Sequence, residues 1–269
     1  MDRRALLLRV LTAVVGIPLL VGAAWLGGWW WATVVVILVG IAAVEFGRLM
    51  PTMNPLLLLV GCPALAVLVG YVITDRVAVW AAAAGNAVVL LAGVLPPVLA
   101  GDPHRAGWLS GSPTGMLVAW SYLGISVGVL MRWGFQGAFA AIVWFFIVIW
   151  TNDIAGYFVG SLMGRHKLAP ALSPGKTWEG AAAGLVAGIS AGAALAPWLA
   201  ISPVYAGLAA GIVTLAAQLG DLFESAVKRR DAVKDAGVIF PGHGGVLDRF
   251  DGVFAAAPVA YLLLHWWAS

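Results

Sequence analysis

Residues 225–251 read SAVKRRDAVKDAGVIFPGHGGVLDRFD, a charged island between two apolar runs, 203–226 and 249–268. It holds five of the chain's 15 Lys and Arg (Lys228, Arg229, Arg230, Lys234, Arg249) and four of its 12 Asp and Glu (Asp231, Asp235, Asp248, Asp251). The rest of the chain is the opposite: 62% of the 269 residues are hydrophobic and only 10% are charged. A soluble domain carries about 25% charged residues. A water-soluble fold of this composition would lack a surface to offer the solvent. The fold class is therefore an all-α polytopic integral membrane protein.

A helix needs about 20 apolar residues to cross ~30 Å of hydrocarbon. About nine stretches qualify: 5–26, 29–49, 55–74, 77–100, 115–134, 137–162, 177–200, 203–226 and 249–268. The stretch 77–100 is the weakest, because it contains Asn86 and the pair Pro96–Pro97. The basic start MDRR before an apolar run resembles a signal peptide, but eight further apolar stretches favour a retained first helix. The lone Cys62 excludes an internal disulfide and a cysteine-based metal site. No repeat, long polar linker or soluble domain is visible.

Nine crossings with the N-terminus inside put thirteen basic residues on the cytoplasmic side and only Arg76 and Arg132 outside. That bias is what the positive-inside rule expects. The net charge of +3 thus bears on orientation rather than on nucleic-acid binding. It leaves two large cytoplasmic loops, 163–176 and 227–248, so the polar chemistry faces the cytoplasm.

Several polar residues interrupt the spans. Asn152 and Asp153 lie in an apolar run, where a carboxylate is costly and is by default a functional candidate. The plain alternative is a structural hydrogen bond to a neighbouring helix. Asp221, Glu224, Ser225 and Lys228 fall at i, i+3, i+4 and i+7, so one helical stripe carries all four. They form either a salt-bridged helix end or a metal- and phosphate-binding stripe. Ser173, Lys176 and Thr177 precede the seventh stretch, where backbone amides at a helix start favour an anion. The glycine spacing of a Walker loop is absent there. Asp248 and Asp251 share a helix face and suit Mg²⁺, or simply favour a helix N-terminus. His243, Gly244 and Gly245 form a tight turn whose backbone can approach a ligand closely.

Carboxylates for a metal, with Lys, Arg and glycine backbone for phosphates, point to phosphoryl or nucleotidyl transfer onto a lipid. The run from Ser225 through Val227–Arg229, Lys234–Asp235, Gly237, Phe240–Gly245 and Asp248–Asp251 resembles the signature of the phosphatidate cytidylyltransferases, the CDP-diacylglycerol synthases. Asp153, Gly156, Tyr157 and Gly160, and the block 172–180, resemble the family's other characteristic blocks. Gly156 stands where alanine is common, a small-for-small departure. The specific resemblance covers about residues 150–252.

The resemblance implies reaction of CTP with phosphatidate to give CDP-diacylglycerol and pyrophosphate. It also implies Mg²⁺, with a second cation an option, in a membrane-embedded homodimer of the cell membrane. Carried onto this chain, Asp221 and Asp248 are the expected metal ligands, with Asp251 supporting. Lys228 and Arg229 are expected to bind CTP phosphates beside Ser225, with Ser173, Lys176 and Thr177 contributing to the same pocket. His243, Gly244, Gly245 and Arg249 join the expected CTP-binding set, and Asn152, Asp153, Lys234 and Asp235 are further polar candidates. Residues 141–269 are the expected catalytic part, and 1–140 a set of about five helices with a scaffold role. The competing readings are a CTP-dependent lipid kinase, a transferase acting on another lipid phosphate, and a secondary transporter using Asp153 and Asp221 as ion sites.

Overall fold

A computed structural model describes residues 3–50, 54–72, 76–102, 104, 113–230, 237 and 244–267. It is almost wholly helical. Helices α1 (Arg3–Leu26), α2 (Gly28–Leu49), α3 (Pro55–Val67) and α4 (Arg76–Ala100) are followed by α5 (Pro113–Ala119) and α6 (Ser126–Phe135). Then come α7 (Phe139–Met163), α8 (Trp178–Ala194), α9 (Ala196–Leu199), α10 (Pro203–Arg230) and α11 (Leu247–Trp267). Among the described residues, four helices are long and apolar enough to cross a membrane: Gly28–Leu49, Gly115–Phe135, Phe139–Met163 and Pro203–Arg229.

Local chemistry sets several boundaries. Asn54 accepts the Leu56 N–H at 2.9 Å and caps α3, and Thr177 accepts the Gly180 N–H at 3.2 Å and caps α8. The run α5–α6 is bridged by a π-helical segment, Trp120–Ile125. The stretch expected as one span at 177–200 is two helices, α8 and the short α9. Pro197 supplies no N–H to continue α8. The expected loop 163–176 contains a small antiparallel hairpin, β1 (Lys167–Ala169) paired with β2 (Ser173–Thr177).

Small residues let the helices approach closely. Gly180, Gly184, Gly188 and Gly192 recur every fourth residue and are all buried, giving α8 a smooth stripe. A Cβ on Gly184 would collide with Asn152 Oδ1 of α7, so the stripe is what brings α7 and α8 together. Large aromatics fill the wider gaps, with Trp31, Trp144, Phe145 and Phe223 fully buried. The indole N–H groups still find partners: Trp31 donates to Leu130 O at 2.7 Å and Trp144 to Gly192 O at 3.0 Å. Many large apolar side chains instead face outward, among them Leu162 at 80% exposure and Val204 at 73%. Such an exterior suits lipid rather than water.

One polar contact inside the bundle has a simple origin. In α11 the Phe254 carbonyl would ordinarily accept from residue 258, which is proline and has no N–H. Ser126 Oγ donates to that carbonyl instead.

Candidate active site

The site forms where α7 and α10 end, α8 and α11 begin and the hairpin folds back. Gly220, one residue before Asp221, sits against α11, and a Cβ there would lie 2.6 Å from the Asp251 carbonyl. This close approach joins the stripe on α10 to the first turns of α11. Ligand oxygens of Asp221, Glu224 and Asp251 lie within 4.8 Å of one another. Two lysines balance this acidic group. Lys176, from β2, reaches Asp221 Oδ2 at 2.5 Å. Lys228 pairs with Glu224 Oε2 at 2.6 Å, one helical turn away, and with Asp248 Oδ1 at 2.9 Å. Asp248 Oδ2 accepts the Gly245 N–H at 2.7 Å, and Asp251 Oδ1 accepts the Gly252 N–H at 2.7 Å.

Further polar contacts tie the helices around the site. Asp153 Oδ1 accepts from Asn152 Nδ2 at 2.9 Å. Gln218 donates to Asn152 Oδ1 at 2.8 Å and to Ala181 O at 3.0 Å, tying α10 to α7 and α8. Arg229 Nε donates to Leu172 O at 3.2 Å, fastening the end of α10 to the hairpin.

These groups open into a cavity of about 1200 Å³. Its charged lining is Asp153, Lys176, Asp221, Asp248, Arg249 and Asp251; Ser173 and Thr177 also line it. Its apolar lining includes Leu19 and Leu20 of α1, Val34 and Leu38 of α2, and Trp150 of α7. The same cavity is thus lined by both charged and apolar side chains.

Of the residues singled out in the sequence, Asn152, Asp153, Ser173, Lys176, Thr177, Asp221, Asp248, Arg249 and Asp251 line this one cavity. Lys228 joins through Asp248, and Gly244 and Gly245 precede it in the chain. Ser225 is buried on α10, and Thr177 is spent on capping α8. His243, Lys234 and Asp235 lie outside the described residues. Asp248, expected as a metal ligand, is held by Lys228 and the Gly245 N–H and lies within hydrogen-bond reach of Glu224. Glu224 joins Asp221 and Asp251 in the three-carboxylate group. Its membership in the polar stripe was legible, but its closeness to Asp251 depends on α11. Gln218, a lone polar residue one turn before Asp221, and Glu45, the one carboxylate of α2, were passed over.

An apolar helical bundle that encloses a pocket of carboxylates and lysines defines a helical membrane protein. The chain belongs to the cytidylyltransferase family, whose model matches residues 7–267. It is similar to the phosphatidate cytidylyltransferase of Brucella suis, 46% identical over 138 residues, 49% of this chain and 50% of that protein. The Mycobacterium leprae phosphatidate cytidylyltransferase is 41% identical over 167 residues, 62% of this chain and 53% of that one. The Mycobacterium bovis protein of the same name is 38% identical over 176 residues, 64% and 56% respectively. The chain spans about half the length of the curated relatives it matches.

Proposed function

We propose that this protein transfers the cytidylyl group of CTP to phosphatidate, giving CDP-diacylglycerol and pyrophosphate. The observation that carries the reading is that Lys176, Asp221 and Asp251 line the same cavity as apolar side chains of α1 and α2. A nucleotide fits the charged lining, and an acyl-bearing phosphate entering from lipid fits the apolar lining. Family membership and the names of the similar proteins support the same chemistry.

The reaction joins two anions. A phosphatidate oxygen forms a bond to the α-phosphorus of CTP, and the bond from that phosphorus to the bridging oxygen breaks, with its electron pair leaving on pyrophosphate. The second pKa of a phosphate monoester lies near ~6, so the nucleophile is already largely deprotonated and needs no general base. Mutual repulsion is the obstacle, and Lys176, Lys228, Arg229 and Arg249 are the cations of this chain that relieve it. Phosphate oxygens would draw Lys176 and Lys228 away from their present carboxylate partners. The three clustered carboxylates offer hard oxygen donors of the kind Mg²⁺ takes, so Asp221, Glu224 and Asp251 would hold it, with Asp248 beside them. When bound, the ion neutralises phosphate charge and orients the two substrates. Asn152, Asp153 and Gln218 brace the pocket by tying α7, α8 and α10 together.

Nine crossings, with the N-terminus and the site on the cytoplasmic side of the cell membrane, are part of this reading. The positive-inside bias supports it, as does the meeting of the ends of α2, α7 and α10 with the starts of α8 and α11. So is a division into N-terminal helices and a catalytic part from residue 141, in a homodimer as the resemblance implies. The test is purified protein with Mg²⁺, labelled CTP and phosphatidate. The expected result is labelled lipid with one pyrophosphate released per lipid. Release of CDP with phosphate transfer would establish a lipid kinase instead, and solute uptake into vesicles without lipid product would establish a transporter.

A further inference from the structure

The carboxylates of α11 act only if that helix is set at the right height and rotation, and three side chains from the N-terminal half grip it. Glu45, completely buried on α2, accepts the Leu247 N–H at 2.8 Å through Oε2, and the Val246 amide lies beside the same carboxylate. Leu247 is the first residue of α11, so its N–H has no partner within the helix. Glu45 therefore caps α11 from another helix, 202 residues away in sequence. Space for it is reserved on both sides: a Cβ on Gly237 or on Gly245 would collide with its carboxylate. Tyr122 donates through its hydroxyl to the Asp251 carbonyl at 2.7 Å, and Ser126 donates to the Phe254 carbonyl. Asn86 Nδ2 supports Ser126 Oγ at 3.4 Å.

The gripped positions, Leu247, Asp251 and Phe254, fall at i, i+4 and i+7 and so form one stripe of α11. Their spacing defines the helix's register. A slip of one residue would rotate Asp248 and Asp251 by about 100° away from Lys228 and Asp221. Resting on the function proposed above, the geometry points to Glu45 as a positioning residue for the nucleotide pocket, with Tyr122 and Ser126 completing the clamp. Glu45 touches neither the cavity nor the three-carboxylate group. It acts through Leu247, whose neighbour Asp248 is fixed by Gly245 and Lys228.

The experiment compares full-length wild type, Glu45→Gln, Glu45→Leu and Tyr122→Phe in detergent. Kinetics are normalised to folded protein, and amide hydrogen exchange is followed over residues 244–252. Glu45→Leu fills the space without an acceptor. It is expected to speed exchange at the start of α11 and to lower kcat/KM for CTP by about tenfold or more, in line with the cost of a small misplacement of reacting groups. KM for phosphatidate should stay within about twofold, because the apolar lining of the cavity is untouched. Glu45→Gln keeps an acceptor and should restore most of the rate and the slow exchange. If Glu45→Leu does not fold, Tyr122→Phe decides: faster exchange with reduced kcat/KM for CTP supports the clamp. Wild-type exchange and wild-type kinetics in Glu45→Leu, or in Tyr122→Phe where it is the deciding variant, overturn it. A wild-type protein without cytidylyltransferase activity refutes the proposed function but leaves the exchange comparison to test the clamp by itself.

Discussion

Lys228 is a largely buried cation on which two buried carboxylates depend. Its side chain is 13% exposed and bridges two carboxylates that are 3% and 5% exposed, Glu224 and Asp248. Lys228→Met keeps most of the aliphatic stem, so the change removes the charge and little packing. Breaking a buried ion pair by deleting one partner costs about 3–5 kcal/mol. The two carboxylates left behind sit within about 6 Å of each other, since both contacted one nitrogen. At an effective dielectric of ~20, two like charges at that separation repel by about 3 kcal/mol. This repulsion is one source of the 3–5 kcal/mol rather than an addition to it. Adding Glu224→Gln removes one of the two charges and should recover more than half of the loss. The assay is thermal unfolding in detergent, read by tryptophan fluorescence, beside CTP turnover per folded molecule. Lys228→Met should unfold earliest and the double variant in between, and both should be inactive because phosphates need the ammonium group. A single variant as stable as wild type, or a double variant no more stable than the single, would refute the assignment of Lys228 as the cation between two buried carboxylates.

Gly184→Leu should separate α7 from α8 by driving a side chain into Asn152, at about 1–3 kcal/mol typical of an overpacked core. Its unfolding midpoint should fall, and turnover should fall further because Gln218 loses its partner on Asn152. The rate should also continue to rise with free cation after all the CTP is already bound to Mg²⁺; a rate that stops rising at that point would show that one ion per nucleotide suffices.

Much of the helical frame was legible because its signal is local. Long apolar runs can do little else in a chain this poor in charge, and Asp221, Glu224 and Lys228 declared a common face by spacing alone. The interruption at Pro197 could be seen as a residue but not weighed, because proline is tolerated in many apolar helices. The hairpin escaped notice because its five-residue second strand, Ser173–Thr177, contains Pro and Gly and has no alternating pattern. Glu45 was invisible for a different reason. A single carboxylate in an apolar helix states that a partner exists, but the partner is a backbone amide 202 residues later, and amides leave no mark in a sequence. The same holds for Tyr122, whose hydroxyl meets the carbonyl of Asp251. What sequence pattern reports is side-chain type at short range; the site is assembled by long-range contacts to main chain.

That assembly also explains why the lysines bind carboxylates. The described site gathers five carboxylates, Asp153, Asp221, Glu224, Asp248 and Asp251, against four cations, Lys176, Lys228, Arg229 and Arg249, a formal excess of one negative charge. Without the two lysine pairings, the acidic cluster would be held together against its own repulsion. A nucleoside triphosphate adds about four negative charges at neutral pH, its terminal phosphate titrating near pH ~6. One divalent ion arriving with the nucleotide leaves the pocket more negative than before, and phosphatidate adds further charge. Lysines that move from carboxylate to phosphate do not alter that balance, because each new contact releases an old partner. The deficit must be met from solution. On the proposed reading, the cluster of Asp221, Glu224 and Asp251 would supply the oxygens for that added charge, and an acidic side that exceeds the basic side is what such a site requires.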